Sequence, residues 1–221
     1  MPPAPAGGAG RSPGSFGWLA RLIGSGMALY LRLVAATCRL SGDVTRDQVV
    51  LAAWHEYNLV VLAVALKVRR DLPHASFSTR GFRGTVITTI LERFDVRVLP
   101  LPDESSRAES RDLALRLARL AADGTSLVVT PDGPFGPYRV AKPGALIVAR
   151  ASGLPIQPWA IRARPVLRLR GRWDRHVVPL PFSRLRVYSG ERAAVSERQP
   201  LRPLLQRLQA ALDEAAARAD A

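Results

Sequence analysis

Cysteine is nearly absent from this chain of 221 residues: Cys38 stands alone. That excludes an intrachain disulfide framework and any cysteine-built zinc site. Lysine is almost as scarce. Only Lys67 and Lys142 occur, so thirty of the 32 basic residues are arginine. Acidic residues number 18, which leaves a net charge of +14. Such a balance predicts attraction to anionic surfaces. Aromatic residues make up 6% of the chain, too few to supply stacking platforms, and no nucleic-acid-binding module is recognisable. A nucleic-acid partner is therefore not expected. No phosphate-binding Gly-x-x-x-x-Gly-Lys loop, no Gly-x-Gly-x-x-Gly after a strand, no Gly-x-Ser-x-Gly elbow and no metal-ligand spacing is present. His74 and His176 are isolated and read as surface or loop residues. No bound cofactor or metal is implied.

What is present is an alternating pattern with 48% apolar residues, enough for a substantial core. Residues 1–15 are mostly Pro, Gly, Ala and Ser and predict a disordered tail. Residues 16–40 are hydrophobic, but Arg21 and Arg32 interrupt them. The longest uncharged run, residues 22–31, falls short of the ~20 that span a bilayer. On a helix, Arg21, Ser25, Ala28, Arg32 and Arg39 share one stripe, and apolar residues cover the rest. Two readings stand side by side: a helix lying in a membrane interface, or a helix docked on the protein's own core. Residues 41–221 form the remaining domain.

Within that domain residues 49–53, VVLAA, read as a strand buried on both faces. Helices are expected over 58–68, 84–94, 106–122 and 143–153, the third opened by a Ser106-x-x-Glu109 capping box. Strands are expected over 74–79, 96–99, 125–130 and 155–161. Strands alternating with helices imply an α/β fold with a mostly parallel central sheet and crossover helices. Further strands are expected over 166–170 and 185–188, and an amphipathic helix over 201–212. Residues 162–192 carry nine arginines against Asp174 and Glu191. Their alternation in RPVLRLRGR reads as a basic sheet face held against anionic headgroups, or as a solvated face.

In open parallel sheets ligands bind beyond the carboxyl ends of the strands. Three such ends carry polar loops here: Trp54-His55-Glu56, Thr79-Arg80-Gly81-Phe82-Arg83-Gly84 and Pro131-Asp132-Gly133-Pro134. A histidine, arginines and a carboxylate on one rim make a general-base and anion-binding site.

The ordered set Trp54-His55, Thr130-Pro131-Asp132-Gly133-Pro134-x-Gly136-Pro137, Lys142-Pro143-Gly144 and Leu154-Pro155-Ile156-x-Pro158 resembles the lysophospholipid acyltransferase superfamily. That group includes the glycerol-3-phosphate and 1-acylglycerol-3-phosphate acyltransferases. The closest likeness is to a bacterial branch of unknown function, and it runs from about Val49 to Glu191. The resemblance implies a membrane-associated enzyme of phospholipid biosynthesis on the cytoplasmic face, peripheral or monotopic. His55 would deprotonate a hydroxyl of a lysophospholipid or related acceptor. The hydroxyl would attack an acyl thioester of coenzyme A or of acyl carrier protein, which is a co-substrate and not a bound cofactor.

In that family an aspartate five residues after the histidine orients the ring, and Val60 stands there instead. Three residues offer a replacement. Asp132, at the acidic position of the family's Glu-Gly motif, could approach His55 across the rim. Asn58 offers an uncharged hydrogen bond. Glu56 is adjacent but is expected to point to the other side of the strand end. Arg80, Arg83, Asp132 and Gly133 are the substrate-binding candidates near the family's phosphate position, and Arg97 is a second anion candidate. The alternative implied by Val60 is a catalytically silent relative that binds anionic lipid.

Overall fold

The computed structural model describes residues 17–68, 73–101 and 107–221. The expected tail over 1–15 and the capping serine, Ser106, lie outside the described residues. Seven strands form one sheet, β1 (Arg39–Gly42), β2 (Val50–Ala53), β3 (His74–Ser78), β4 (Val96–Pro100), β5 (Ser126–Val129), β6 (Ile156–Arg168) and β7 (Val177–Ser189). Their order is β1-β7-β6-β2-β5-β3-β4. All neighbouring pairs are parallel except β6 and β7. This is the mixed α/β, mostly parallel sheet expected from the alternation.

Among the described residues six α-helices cover the sheet: α1 (Gly17–Thr37), α2 (Asn58–Val68), α3 (Gly81–Glu92), α4 (Arg107–Ala122), α5 (Gly144–Ser152) and α6 (Leu201–Asp220). Helices α1, α2 and α3 pack together, and α4, α5 and α6 form a second group. Right-handed crossovers account for the division. The chain advances across the sheet through α2 and α3 and returns through α4 and α5, so the two groups cover opposite faces. The central strand β2 is buried along its whole length, as an apolar run between two helical layers requires.

Several boundaries differ from the sequence pattern. Strand β6 runs unbroken through Arg168, and β7 spans 13 residues. Together they form one long antiparallel hairpin in place of three short strands. The shift in register beside Pro165 marks a bulge, as a strand proline demands. Helix α6 continues to Asp220, well past Leu212. Arg39 belongs to edge strand β1 and not to the α1 stripe.

Helix α1 docks on the body and also leaves an apolar face uncovered. Its 21 residues are long and apolar enough, by length and composition alone, to cross a membrane. Ala20, Gly24, Ala28, Leu31, Val34 and Ala35 are buried against the protein. Trp18, Leu22, Leu29 and Leu33 are 50–69% exposed on the opposite side of the helix. Phe182, 74% exposed, lies at its carboxyl end, where the Phe182 N–H donates to Thr37 Oγ1 at 3.0 Å. The close approach of α1 to α3 depends on Gly24. A Cβ there would meet Thr89 Cβ at 2.7 Å and the Val86 carbonyl oxygen at 2.8 Å. Gly24→Val is expected to cost about 1–3 kcal/mol of stability through overpacking. Thermal unfolding measures the loss, and faster tryptic cleavage at Arg21 and Arg32 reports the loosened helix.

Candidate functional site

The register of the sheet brings His55 and Asp132 to the same height. Ala52 of β2 pairs with Val129 of β5, and His55 and Asp132 each follow three residues later. The chain turns sharply after both strands. Residues His55–Tyr57 form one turn of 3-10 helix that leads into α2. After β5, the Gly133 N–H donates to the Thr130 carbonyl at 3.0 Å. Gly133 adopts φ +68°, a conformation that suits glycine. The Lys142 N–H closes the loop onto the Pro131 carbonyl at 2.8 Å, and the Lys142 stem lies along Gly133.

The two side chains meet across 77 positions of sequence. His55 Nδ1 lies 3.0 Å from Asp132 Oδ1, and the His55 backbone N–H donates to the same carboxylate at 3.2 and 3.3 Å. Asp132 is wholly buried, whereas the His55 side chain is 18% exposed. A carboxylate only accepts hydrogen bonds, so the ring proton sits on Nδ1 and Nε2 is left with its lone pair. The Thr130 hydroxyl is 3.5 Å from Nε2, which marks the direction in which that nitrogen points.

The other two candidates for orienting the ring do not reach it. The Asn58 backbone N–H donates to the His55 carbonyl, but among the described residues no hydrogen bond joins the Asn58 side chain to the His55 ring. Glu56 turns away, as its place in the 3-10 turn requires, and is itself fully buried at the centre of an ion cluster. Its Oε1 accepts from Arg139 Nε at 2.5 Å, and its Oε2 accepts from the Tyr138 hydroxyl at 3.1 Å and Arg168 Nη1 at 3.4 Å. Arg139 and Arg168 continue to Asp220 at 3.0 and 3.5 Å. The cluster therefore ties the residue beside His55 to the carboxyl end of α6. Burial pushes the Glu56 carboxyl up, against the opposing hydrogen bond and charge of Arg139, while the same pairing holds the Arg139 guanidinium firmly charged. Burial and the Glu56 charge push the Tyr138 hydroxyl up to about 12.

Val60 is fully buried in α2 and belongs to the main apolar core. Val60→Asp is expected to destabilise the fold by roughly 3 kcal/mol or more, because an unpaired carboxylate enters that core. It should give no gain in any His55-dependent activity. Denaturant unfolding followed by assay of the folded variant checks both outcomes.

The arginines divide by location. Helix α3 begins at Gly81, three residues earlier than the sequence pattern suggests, so Arg80 stands just before it and Arg83 in its first turn. Both are exposed and lie beyond the carboxyl end of β3, on the His55 rim. Arg80 also lines a groove of about 780 Å3 between α1 and α3, together with Arg21, Arg93, Ser25 and Thr85. Arg97 does not share this rim. It is the second residue of β4 and aligns with Ala75 of β3, which aligns with Leu127 of β5 and Val50 of β2. In parallel strands that places it at the amino ends, where it faces Asp123 at 3.9 Å. Arg97 is therefore too far from the rim to bind an anion beside His55.

Sequence reasoning missed the cover over His55. The turn between β6 and β7 folds back onto the rim, and the Trp173 ring lies 5.2 Å from the His55 ring at 57°. Trp173 is seated on Gly136, where a Cβ would come within 2.6 Å of the indole. The next residue, Asp174, is buried and accepts from Arg172 Nε and Nη2 at 2.9 and 2.8 Å. Burial pushes the Asp174 carboxyl up, but the Arg172 hydrogen bond and neighbouring positive charge outweigh it and hold the group below the usual range. His176, read as a surface or loop residue, lies in this loop, largely buried beside Asp174 at 3.4 Å, and burial holds its imidazole below the usual range. His74, expected at the surface or in a loop, is instead the first residue of β3 and 7% exposed. The signal for Trp173 was available only as an aromatic residue within the basic segment.

No protein family model matches the chain, and no solved structure matches it. It is similar to an uncharacterized protein of Rickettsia prowazekii (strain Madrid E), with 25% identity over 148 residues. The match covers 66% of this chain and 64% of the Rickettsia protein, so the chain spans somewhat less than two thirds of that relative's length.

Proposed function

We propose that this protein is an acyltransferase of the lysophospholipid acyltransferase kind, acting on a hydroxyl of a lysophospholipid or related lipid. The observation that supports it best is the His55–Asp132 pair. A buried carboxylate holds Nδ1–H, and Nε2 faces the rim as a base. In the reaction, Nε2 takes the proton of the acceptor hydroxyl as its oxygen bonds to the thioester carbonyl carbon. Collapse of the tetrahedral intermediate breaks the carbon–sulfur bond, and the departing thiolate recovers the proton from the imidazolium. Asp132 fixes the tautomer and steadies the transient positive ring, the work that a carboxylate does in other triads. Because Asp132 sits in reach, Val60 at the expected aspartate position does not argue for a silent protein.

Arg80 and Arg83 stand where an anionic headgroup would lie, and the α1–α3 groove offers it room beside Arg21. The exposed face of α1 supports a peripheral or monotopic place on the membrane. Its apolar stripe is flanked along one edge by Arg21 and Arg32, an arrangement suited to lying in the interfacial plane. The cytoplasmic leaflet is the side on which acyl thioesters are found.

The test is incorporation of a labelled acyl group from coenzyme A or carrier-protein thioesters into lysolipids presented in vesicles. Transfer by the purified wild-type protein is expected. A folded protein that transfers from neither donor overturns the proposal in favour of a lipid-binding relative without catalysis.

A further inference from the structure

The turn between β6 and β7, residues 169–176, closes one side of the candidate site. Strands β6 and β7 lie on one side of β2 and β5, whose ends carry His55 and Asp132. The end of β3, with Arg80 and Arg83, lies on the other. Trp173 stands on the hairpin side. Its ring lies 5.2 Å from the His55 ring at 57°, the spacing of a tilted aromatic pair. With Asp132 at Nδ1 and Trp173 against the ring, the approach left to an acceptor is from the arginine side.

This cover is built as a fixed wall. The Leu169 N–H donates to the His176 carbonyl at 2.9 Å. The Arg172 and Arg175 N–H groups donate to the carbonyls of Leu169 and Arg172, each at 3.2 Å. Asp174, 1% exposed, holds the Arg172 guanidinium through two hydrogen bonds. Unfolding the turn would strip that partner from a buried carboxylate, which is costly. The turn is also seated on the loop after β5. Arg175 lies 4.6 Å over the Tyr138 ring, and the Tyr138 hydroxyl donates to Glu56. Trp173 rests on Gly136, whose φ of +73° and missing Cβ both serve the contact. The indole N–H makes no hydrogen bond among the described residues. What Trp173 contributes is therefore the bulk of its ring and not a donor.

A histidine base beside a thioester meets two competing nucleophiles, the lipid hydroxyl and water. We propose that Trp173 sets the choice between them. It shuts the hairpin side of the rim, so that once a lipid hydroxyl fills the arginine side, water has no route to Nε2. The inference rests on the acyltransferase reading and adds to it the discrimination against water. In the suppressed branch a water oxygen bonds to the thioester carbonyl carbon while Nε2 takes one of its protons. The carbon–sulfur bond then breaks and the thiolate recovers the proton, leaving a carboxylic acid and a thiol. Exclusion of water from an enclosed site suppresses side reactions of this kind.

The experiment measures two products of one labelled acyl thioester, free acid and acyl lipid, at saturating lysolipid in vesicles. Coenzyme A and carrier-protein thioesters are each used as donor. The proteins are wild type, Trp173→Ala, Trp173→Phe and Gly136→Ala, with circular dichroism to verify each fold. On the same proteins, modification of His55 by diethyl pyrocarbonate, read by peptide mass spectrometry, reports access to the ring without turnover. In Trp173→Ala the ratio of acid to acyl lipid is expected to rise at least about tenfold, and His55 to be modified at least about threefold faster, as removal of a water barrier requires. Trp173→Phe should stay within about twofold of the wild-type ratio, because an aromatic ring still fills the position. Gly136→Ala should resemble Trp173→Ala, since its Cβ would come within 2.6 Å of the indole and unseat it. A merely structural loss lowers both products together and leaves their ratio unchanged, and that result overturns the proposal. So does free acid as the main product of wild type. If Trp173→Ala does not fold, an unchanged ratio in Gly136→Ala overturns it in the same way. If no protein consumes either thioester, the acyltransferase reading falls and the reagent decides the cover alone. Faster modification of His55 in Trp173→Ala then keeps Trp173 as the barrier to water, and equal modification overturns it.

Discussion

Replacing Asp132 with asparagine is expected to lower acyl transfer by on the order of 10³ to 10⁴-fold, the scale of the equivalent change in a serine protease. The size follows from what the carboxylate touches. It accepts both the His55 ring N–H and the His55 backbone N–H. An asparagine keeps one accepting oxygen and gains an amine donor. With the oxygen on the backbone N–H, the amine faces Nδ1 and forces the ring proton onto Nε2, the atom that must act as base. The loss should therefore appear in kcat, with KM for the lipid acceptor nearly unchanged. Steady-state kinetics over a range of acceptor concentrations separates the two. A circular dichroism spectrum matching wild type shows that the variant is folded.

Glu56→Ala is expected to destabilise the protein by about 3–5 kcal/mol, the usual result of removing one partner from a buried ion pair. Glu56 is fully buried, and Arg139 and Arg168 converge on it from the loop after β5 and from the end of β6. Without it the one carboxylate left to them among the described residues is Asp220, which is 43% exposed and screened by water, beside the Arg139 hydrogen bond to the Tyr57 hydroxyl. At 2–4 °C per kcal/mol for a chain of this size, the melting temperature should fall by roughly 10 °C. Glu56→Gln should fall between the two, because an amide oxygen still accepts from Arg139 while the charge is gone. Thermal unfolding of all three proteins at one pH measures the order. The carboxyl end of α6 is held by this cluster, so its amides should exchange faster in Glu56→Ala.

The central part of the fold was legible because each signal was local. The apolar run before Trp54 has the composition of a doubly buried strand, and the helices that follow β2 and β5 have clear starts or ends. Placing His55 and Asp132 on one rim required only that their strands be parallel. The periphery was less legible. Strand β1 is four residues at a sheet edge with a mostly exposed pattern, so nothing in its composition separates it from the end of α1. In the sequence the β6–β7 hairpin looks like fragments because Pro165, Pro179 and Pro181 weaken the strand signal, although prolines are tolerated at bulges and edges. Arg97 shows how strand direction outweighs residue type. An arginine one step into a parallel strand sits at the amino end, remote from the ligand rim. Trp173 and Glu56 owe their positions to contacts formed over long separations, which no periodicity encodes.

The most direct measurement is single-turnover acyl transfer from a labelled thioester, with wild type and His55→Ala on the same lysolipid-containing vesicles. With His55 as the base, wild type incorporates label and the variant is slower by at least about 10²-fold, the low end for general base catalysis. Equal incorporation by a folded His55→Ala protein would contradict the assignment and move the chemistry away from the His55–Asp132 pair.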